Sequence, residues 1–189
     1  MSRDIARSSD GELAALALDG QQTAFREFLR RYKEPVYRLI RSNIGDADEA
    51  LDLTQDTFVA AFGALKKYDP ARPFRFWVMR IALNKCRDWS RRQAVRNFFR
   101  KARPIEEAFD LADDGPTPEA EAGDRAELAR VKQAMAILPQ KLRQVLVLRT
   151  VEGLSQAEAA VALGVNEKTI ETRLYRARRQ LAESLSRTV

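Results

Sequence analysis

Tyr68-Asp69-Pro70-Ala71-Arg72-Pro73-Phe74-Arg75-Phe76-Trp77-Val78-Met79-Arg80-Ile81-Ala82-Leu83-Asn84-Lys85-Cys86-Arg87-Asp88-Trp89-Ser90-Arg91-Arg92 decides how the chain is read. Two prolines flank Ala71 and Arg72 and forbid a regular element, so Asp69–Pro73 is predicted to be a loop. Pro73 suits the first turn of a helix, where its missing N–H costs nothing. From Phe74 onward the spacing is helical. Val78, Ala82 and Trp89 mark one apolar face. Arg80, Asn84, Arg87 and Arg91 recur at i, i+4, i+7 and i+11 on another. Three guanidiniums and an amide on one face suit phosphates and a base edge. A merely solvated face is the alternative. Phe74, Phe76 and Trp77 at the loop mouth are candidates for stacking on bases or for core.

Beyond this stretch the helix is expected to continue to about Lys101, with Arg96, Arg100, Lys101 and Arg103 following Arg91 and Arg92. Cations suit a helix C-terminus. Pro104 ends it. Residues 104–124 hold eight acidic residues, no basic one, and three prolines. This composition predicts an extended linker that does not fix its flanks rigidly. The blocks on either side are basic. Residues 1–103 carry 21 Lys/Arg against 13 Asp/Glu, and residues 125–189 carry 12 against six. Two basic domains (1–103 and 125–189) around an acidic linker suggest two surfaces that face nucleic acid.

In the second block, Leu128, Val131, Met135 and Leu138 give one amphipathic helix, stopped by Pro139. Leu142, Val145, Leu146 and Leu148 give another, and Glu152-Gly153-Leu154 reads as a turn. Ser155 with Glu158 has capping-box spacing and opens an alanine-rich helix to Leu163. After the Gly164-Val165-Asn166 turn, Ile170, Leu174, Ala177 and Leu181 form the core stripe of a long helix. Its opposite side holds Lys168, Glu171, Thr172, Arg173, Arg176 and Arg179. A short helix, a glycine turn and a long polar-faced helix match a helix-turn-helix.

In the first block, Ser9 with Glu12 opens a short helix. A longer helical pattern from Phe25 to Ile40 contains Pro35, which is expected to kink or divide it. Asp46 with Glu49 repeats the capping-box spacing and starts a helix running to about Leu65. Leu51, Thr54, Phe58, Ala61, Phe62 and Leu65 form its apolar stripe. Asp48, Asp52, Gln55 and Asp56 form an acidic and amide face that suits docking on a basic protein helix. No strand pattern occurs, so the fold class is all-α.

The composition narrows the chemistry. The 189-residue chain has no histidine and one cysteine, Cys86. The commonest general base and the Cys/His zinc site are therefore missing, and no intrachain disulfide can form. There is no phosphate-binding glycine loop, no G-x-S-x-G and no apolar run of membrane-spanning length. The expectation is a cytoplasmic protein without catalytic residue, metal or cofactor.

The chain resembles the bacterial RNA polymerase sigma factors of the extracytoplasmic-function (ECF) group, from about Leu13 to Leu185. The resemblance rests on Asp52-Leu53-Thr54-Gln55-Asp56-Thr57-Phe58 and Phe74–Asn84, and on Leu138-Pro139, Leu154-Ser155-Gln156-Ala157-Glu158 and Tyr175-Arg176-Ala177-Arg178. It implies that Asp52, Gln55 and Asp56 dock on the clamp of the largest subunit of core polymerase. It implies that Asp69, Pro70, Ala71, Arg72, Pro73 and Asn84 capture a flipped base of the −10 element, with Arg80, Arg87, Arg91 and Arg92 on phosphates. It implies that Lys168, Thr169, Glu171, Thr172, Arg173 and Arg176 face the −35 element, with the second domain on the flap of the second-largest subunit. An anti-sigma protein is the implied regulator. One position departs from the family pattern: Glu171 stands where relatives commonly carry arginine. The rival reading is a helix-turn-helix regulator that does not serve as a sigma subunit.

Overall fold

An aromatic cluster anchors the N-terminal half. Phe74 is fully buried, stacks on Phe28 with ring centroids 4.1 Å apart, and meets Tyr32, Tyr68 and Trp77 at 5.3–5.4 Å. Such pairs add to the large area that aromatic rings bury. Around them the structure, a computed structural model describing residues 5–101 and 119–186, arranges eight α-helices. They are α1 (Asp10–Leu18), α2 (Gln22–Ile44), α3 (Ala47–Gly63), α4 (Phe74–Lys101), α5 (Glu119–Ile137), α6 (Gln140–Thr150), α7 (Gln156–Leu163) and α8 (Glu167–Ser186). No strand occurs among the described residues. The first four helices pack as one domain and the last four as a smaller one. Residues 102–118, most of the expected linker, lie outside the described residues, and α5 begins at Glu119, inside the span expected to be linker.

Local signals explain most helix ends. Ser9 and Ser155 both form complete capping boxes, with Glu12 and Glu158. Asp46 accepts from the Glu49 backbone N–H, but the Glu49 side chain does not return to close a box. It accepts instead from the Trp89 indole at 2.9 Å, tying α3 to α4. Pro35 does not divide α2, which runs unbroken through it. A proline inside a helix costs about 3 kcal/mol. Burial on both sides of it, by Phe28 before and Val36, Leu39 and Ile40 after, holds the two halves in line. Asp10 is a long-range fastener. Its carboxylate accepts from Tyr32 Oη at 2.7 Å and from the Phe74 backbone N–H at 3.3 Å, and pairs with Arg31 at 3.3 Å. It thereby anchors the first turn of α4, where a carboxylate is favoured.

The linker composition predicts domains that are not held together, whereas the structure seats one on the other. A single cluster of buried residues includes Val78 and Ala82 of α4 together with Val147, Leu148, Ala159 and Ala162 of α6 and α7. Arg143 donates to the Asn43 carbonyl at 2.5 Å, and buried Gln144 donates to the Leu83 carbonyl at 3.4 Å. The physical reason is size: a small helical domain gains by burying apolar surface against its neighbour. A second, smaller cluster of Leu138, Leu142, Leu146 and Ala177 lies within the C-terminal domain.

Candidate nucleic-acid interface

The loop ahead of α4 is ordered by its own side chains. Asp69 accepts from the Ala71 N–H at 3.0 Å, its backbone carbonyl accepts from the Arg72 N–H at 3.0 Å, and its carboxylate pairs with Arg72 at 3.3 Å. This is the local bonding by which aspartate fixes turns. Tyr68 Oη donates to the Arg72 carbonyl at 2.6 Å and closes the loop on the aromatic cluster. Burial first, then Asp10 and Asp69, push the Tyr68 phenol up to about 12. Ala71, Arg72 and Pro73 are left exposed. Pro70 is exposed too, its ring passing close to Gly11, where a Cβ would come within 3.2 Å of it.

A cavity of about 220 Å³ opens beneath this loop. Lys67, Arg72 and Arg80 bring charge to it and Tyr68, Phe76 and Trp77 bring ring surface. Cations beside aromatic faces can neutralise a phosphate and stack an unpaired base. Of the three aromatics at the loop mouth, Phe74 is core, whereas Phe76 and Trp77 are half-buried and line the cavity. Asn84 is exposed one turn beyond Arg80 and does not line it. The Asn84 side-chain carbonyl accepts from the Arg87 guanidinium. Arg91 and Arg92 face a second groove, shared with Trp89, Val95 and Arg96, and Arg91 also pairs with Asp88 at 3.7 Å. The residues expected at the −10 element thus fall into a ring-lined cavity under the loop and a cationic run further along the same helix.

On α8, Lys168, Glu171, Thr172 and Arg176 are exposed and Arg173 is half-buried. Asn166 caps the helix, accepting from the Thr169 N–H at 2.8 Å and the Thr169 hydroxyl at 2.6 Å. Thr169 is therefore engaged in capping. The Thr172 hydroxyl turns back to the Lys168 carbonyl at 2.9 Å. Glu171 makes no ion pair among the described residues and borders a shallow groove with Lys168, Thr172 and Arg178. An unpaired acid beside cations on an exposed helix face is available to a donor on a partner.

On α3, Asp52, Gln55 and Asp56 are all exposed, and Asp56 pairs with Lys85 of α4 at 3.6 Å. Their apolar neighbours differ from the sequence expectation: Leu51, placed in the apolar stripe, is 45% exposed, and Val59, which sequence reasoning missed, is 72% exposed on the same side of the helix. Only the i, i+4 spacing of Leu51 and Val59 to Gln55 could have signalled this. Acids interleaved with exposed aliphatics make a surface suited to another protein.

No cluster of three or more metal-ligating side chains exists among the described residues. Cys86 is buried, and burial pushes its thiol up to about 12, so it packs as a small apolar group.

A helical domain with a cation-rich helix, followed by a helix-turn-helix, suits a DNA-binding protein, and the comparisons specify the class. Residues 28–96 match the model of Sigma-70 region 2, and residues 128–181 that of Sigma-70 region 4. The RNA polymerase sigma factor CnrH of Cupriavidus metallidurans is 42% identical over 180 residues, 94% of each chain. The ECF RNA polymerase sigma factor SigW of Bacillus subtilis is 30% identical, over 88% of this chain and 91% of that one. The solved structure of CnrH in complex with the cytosolic domain of CnrY superposes with a TM-score of 0.70 at 35% identity, covering 96% of this chain and all of the other. The chain belongs to the ECF RNA polymerase sigma factors of the sigma-70 family.

Proposed function

We propose that this sigma factor divides promoter recognition between two unlike surfaces and joins polymerase through a third. The ring-lined cavity under Asp69–Pro73 takes one unstacked base of the −10 element, with Arg80 at its wall. Asn84 and Arg87, Arg91 and Arg92 follow the strand along α4. The exposed face of α8, with Lys168, Glu171, Arg173 and Arg176, enters the major groove at the −35 element. Asp52, Gln55 and Asp56, with Leu51 and Val59 beside them, dock on core polymerase. The protein acts where polymerase is, in the cytoplasm. No helix among the described residues is long and apolar enough to cross a membrane.

The observation that carries this reading is the cavity itself. Removing a base from the duplex costs roughly a few kcal/mol, and a preformed cavity with stacking surface and cations offsets that cost. No catalytic group is needed. Regulation by an anti-sigma protein is supported by the relative's complex with CnrY. A groove of about 440 Å³ at the domain seam, floored by Ile44, Leu128, Val131 and Met135, offers such an inhibitor contact with both domains. Run-off transcription with core polymerase tests the reading. Wild type should confer initiation, and a helix-turn-helix regulator that is not a sigma subunit would not. Asp56→Lys should weaken binding to core by about tenfold or more with unchanged helix content. Unaltered competition for core would remove α3 from the interface.

A further inference from the structure

The groove at the domain seam has a chemistry of its own. Ile44 at the end of α2, Leu128, Val131 and Met135 of α5, and Val151 just beyond α6 give it an apolar lining. Leu128 and Val151 are 53% and 46% exposed, so part of that lining is left to water. Met135 is a side chain that adapts to the shape of what covers it. Arg41 of α2, Lys132 of α5 and Arg143 of α6 add charge, and no carboxylate among the described residues lines the groove. The C-terminus of α2 contributes roughly half a negative charge through its carbonyl dipoles. Three cations outweigh it.

Arg143 carries the argument furthest. It is half-buried, and it donates to the backbone carbonyls of Asn43 at 2.5 Å, Ala136 at 2.7 Å and Leu138 at 3.0 Å. All three acceptors are neutral. Its Nε is buried and donates to nothing, and it makes no ion pair among the described residues. Burial pulls its pKa below the ordinary arginine value. A desolvated cation without an anion is unfavourable. The three carbonyls hold the guanidinium in place, so an incoming anion meets a cation already ordered.

Size decides between a small molecule and a protein helix. The groove encloses about 440 Å³. Small-molecule sites occupy roughly 300–1,000 Å³ and favour domain interfaces. One turn of helix, about 10–12 Å across and 5.4 Å long, already displaces roughly that volume. A small ligand is enclosed here, whereas a helix lays only a few side chains in.

We propose that this groove binds a single-chain amphipathic carboxylate free in solution, its alkyl chain covering Leu128, Val131 and Met135 and its carboxylate meeting Arg143 and Lys132. An inorganic anion leaves the apolar lining wet, and an uncharged apolar ligand leaves Arg143 unanswered. The site stands independently of the inhibitor contact proposed for the same floor, and its occupant would compete with that inhibitor.

Calorimetric titration of the full chain with laurate, kept below its micelle concentration, tests the proposal. One laurate should bind per chain. Butyrate has the head without the tail, and dodecyltrimethylammonium has the tail with the opposite charge. Each should bind about tenfold more weakly or worse. Leu128→Glu and Lys132→Glu alter exposed side chains. Each should weaken laurate by about tenfold or more at unchanged helix content. Arg143→Gln should weaken it further, but it also releases three carbonyls, so the exposed pair decides. Equal binding of laurate and the ammonium amphiphile, several laurates per chain, or unchanged affinity in both exposed variants would overturn the site. Capture by phosphatidylglycerol vesicles without binding of monomeric laurate would assign these residues to a membrane surface and overturn it too. No binding of either would leave the groove to a protein partner.

Discussion

The two helices proposed to face DNA are built differently. At the start of α4 a fully buried Phe74 sits among Phe28, Tyr32, Tyr68 and Trp77, and a loop held by four local contacts precedes it. By contrast α8 fully buries only Ile170 and Ala177, half-buries Leu174 and Leu181 against the core, and leaves Lys168, Glu171, Thr172 and Arg176 exposed. The difference follows from what each surface must do. A base leaving the stack needs a cavity already in shape when it arrives, since ordering the cavity at that moment would add to the cost of flipping. A duplex groove already has the width of a helix, so the reading helix need only be straight and exposed. Local contacts are concentrated at the loop proposed to read melted DNA and are few on the helix face proposed to read duplex.

Removing the anchors should expose this contrast most strongly. Phe74→Ala is expected to cost about 3–5 kcal/mol and to disorder the loop with it, because Tyr68 and Trp77 lose the ring they pack on. Ile170→Ala is expected to cost about 2–5 kcal/mol but to leave the loop intact. Urea unfolding followed by tryptophan fluorescence separates them, since Trp77 and Trp89 both lie in α4. Equal loss of the Trp77 environment in the two variants would mean that the loop is not organised by Phe74.

A smaller effect distinguishes the cavity from the cationic run beyond it. Arg91 is exposed, and its pair with Asp88 is an exposed one that contributes little. Arg91→Ala should therefore leave stability unchanged, weaken all promoters alike and lower the salt slope by about 0.9 per lost duplex phosphate contact. Filter binding of the polymerase holoenzyme at several salt concentrations gives the slope. A change confined to one promoter sequence would make Arg91 a reader.

The smallest effect is on acid stability, and its largest contributor lies in the first domain. Glu27 is held by Arg30 first and Arg31 second, both at 2.7 Å, which brings its carboxyl down to about 2. A depressed value means that the stabilisation is complete above the ordinary carboxylate range and declines as pH falls from about 4.5 toward 2. Glu27→Gln should flatten that acid limb. Urea midpoints at pH 7 and pH 3 for both proteins measure it, and parallel acid losses would assign the limb to other carboxylates.

Much of the fold was legible from local pattern. The capping boxes at Ser9 and Ser155, the proline-bounded loop and the i, i+4 stripe of α8 are signals within one turn of helix, where sequence separation and spatial separation coincide. What escaped was long-range. Glu49 has the spacing of a capping partner but finds the Trp89 indole across the domain. Pro35 carries a helix-breaking signal that buried neighbours override. Glu152 sits in a plain turn, and nothing local shows that its charge is answered by Arg38 and Arg75. The candidate site was legible as residue types along α4, α3 and α8. Its division was not: Asn84 lies outside the loop cavity, Thr169 is held by the Asn166 cap of α8, and Leu51 and Val59 join the acidic face.

The central claim is that two surfaces read two elements independently. The direct measurement is promoter selection by the holoenzyme from a library randomised at both the −10 and −35 elements, with wild type, Asn84→Ala and Glu171→Ala. Asn84→Ala should relax preference at one −10 position and leave the −35 element as it was. Glu171→Ala should lose preference for a cytosine in the −35 element, its N4 being the natural donor to a carboxylate, by roughly 1–3 kcal/mol, and leave the −10 element untouched. Unaltered base preferences in both variants, or the same change in both, would contradict the division of labour between the loop-anchored helix and the exposed one.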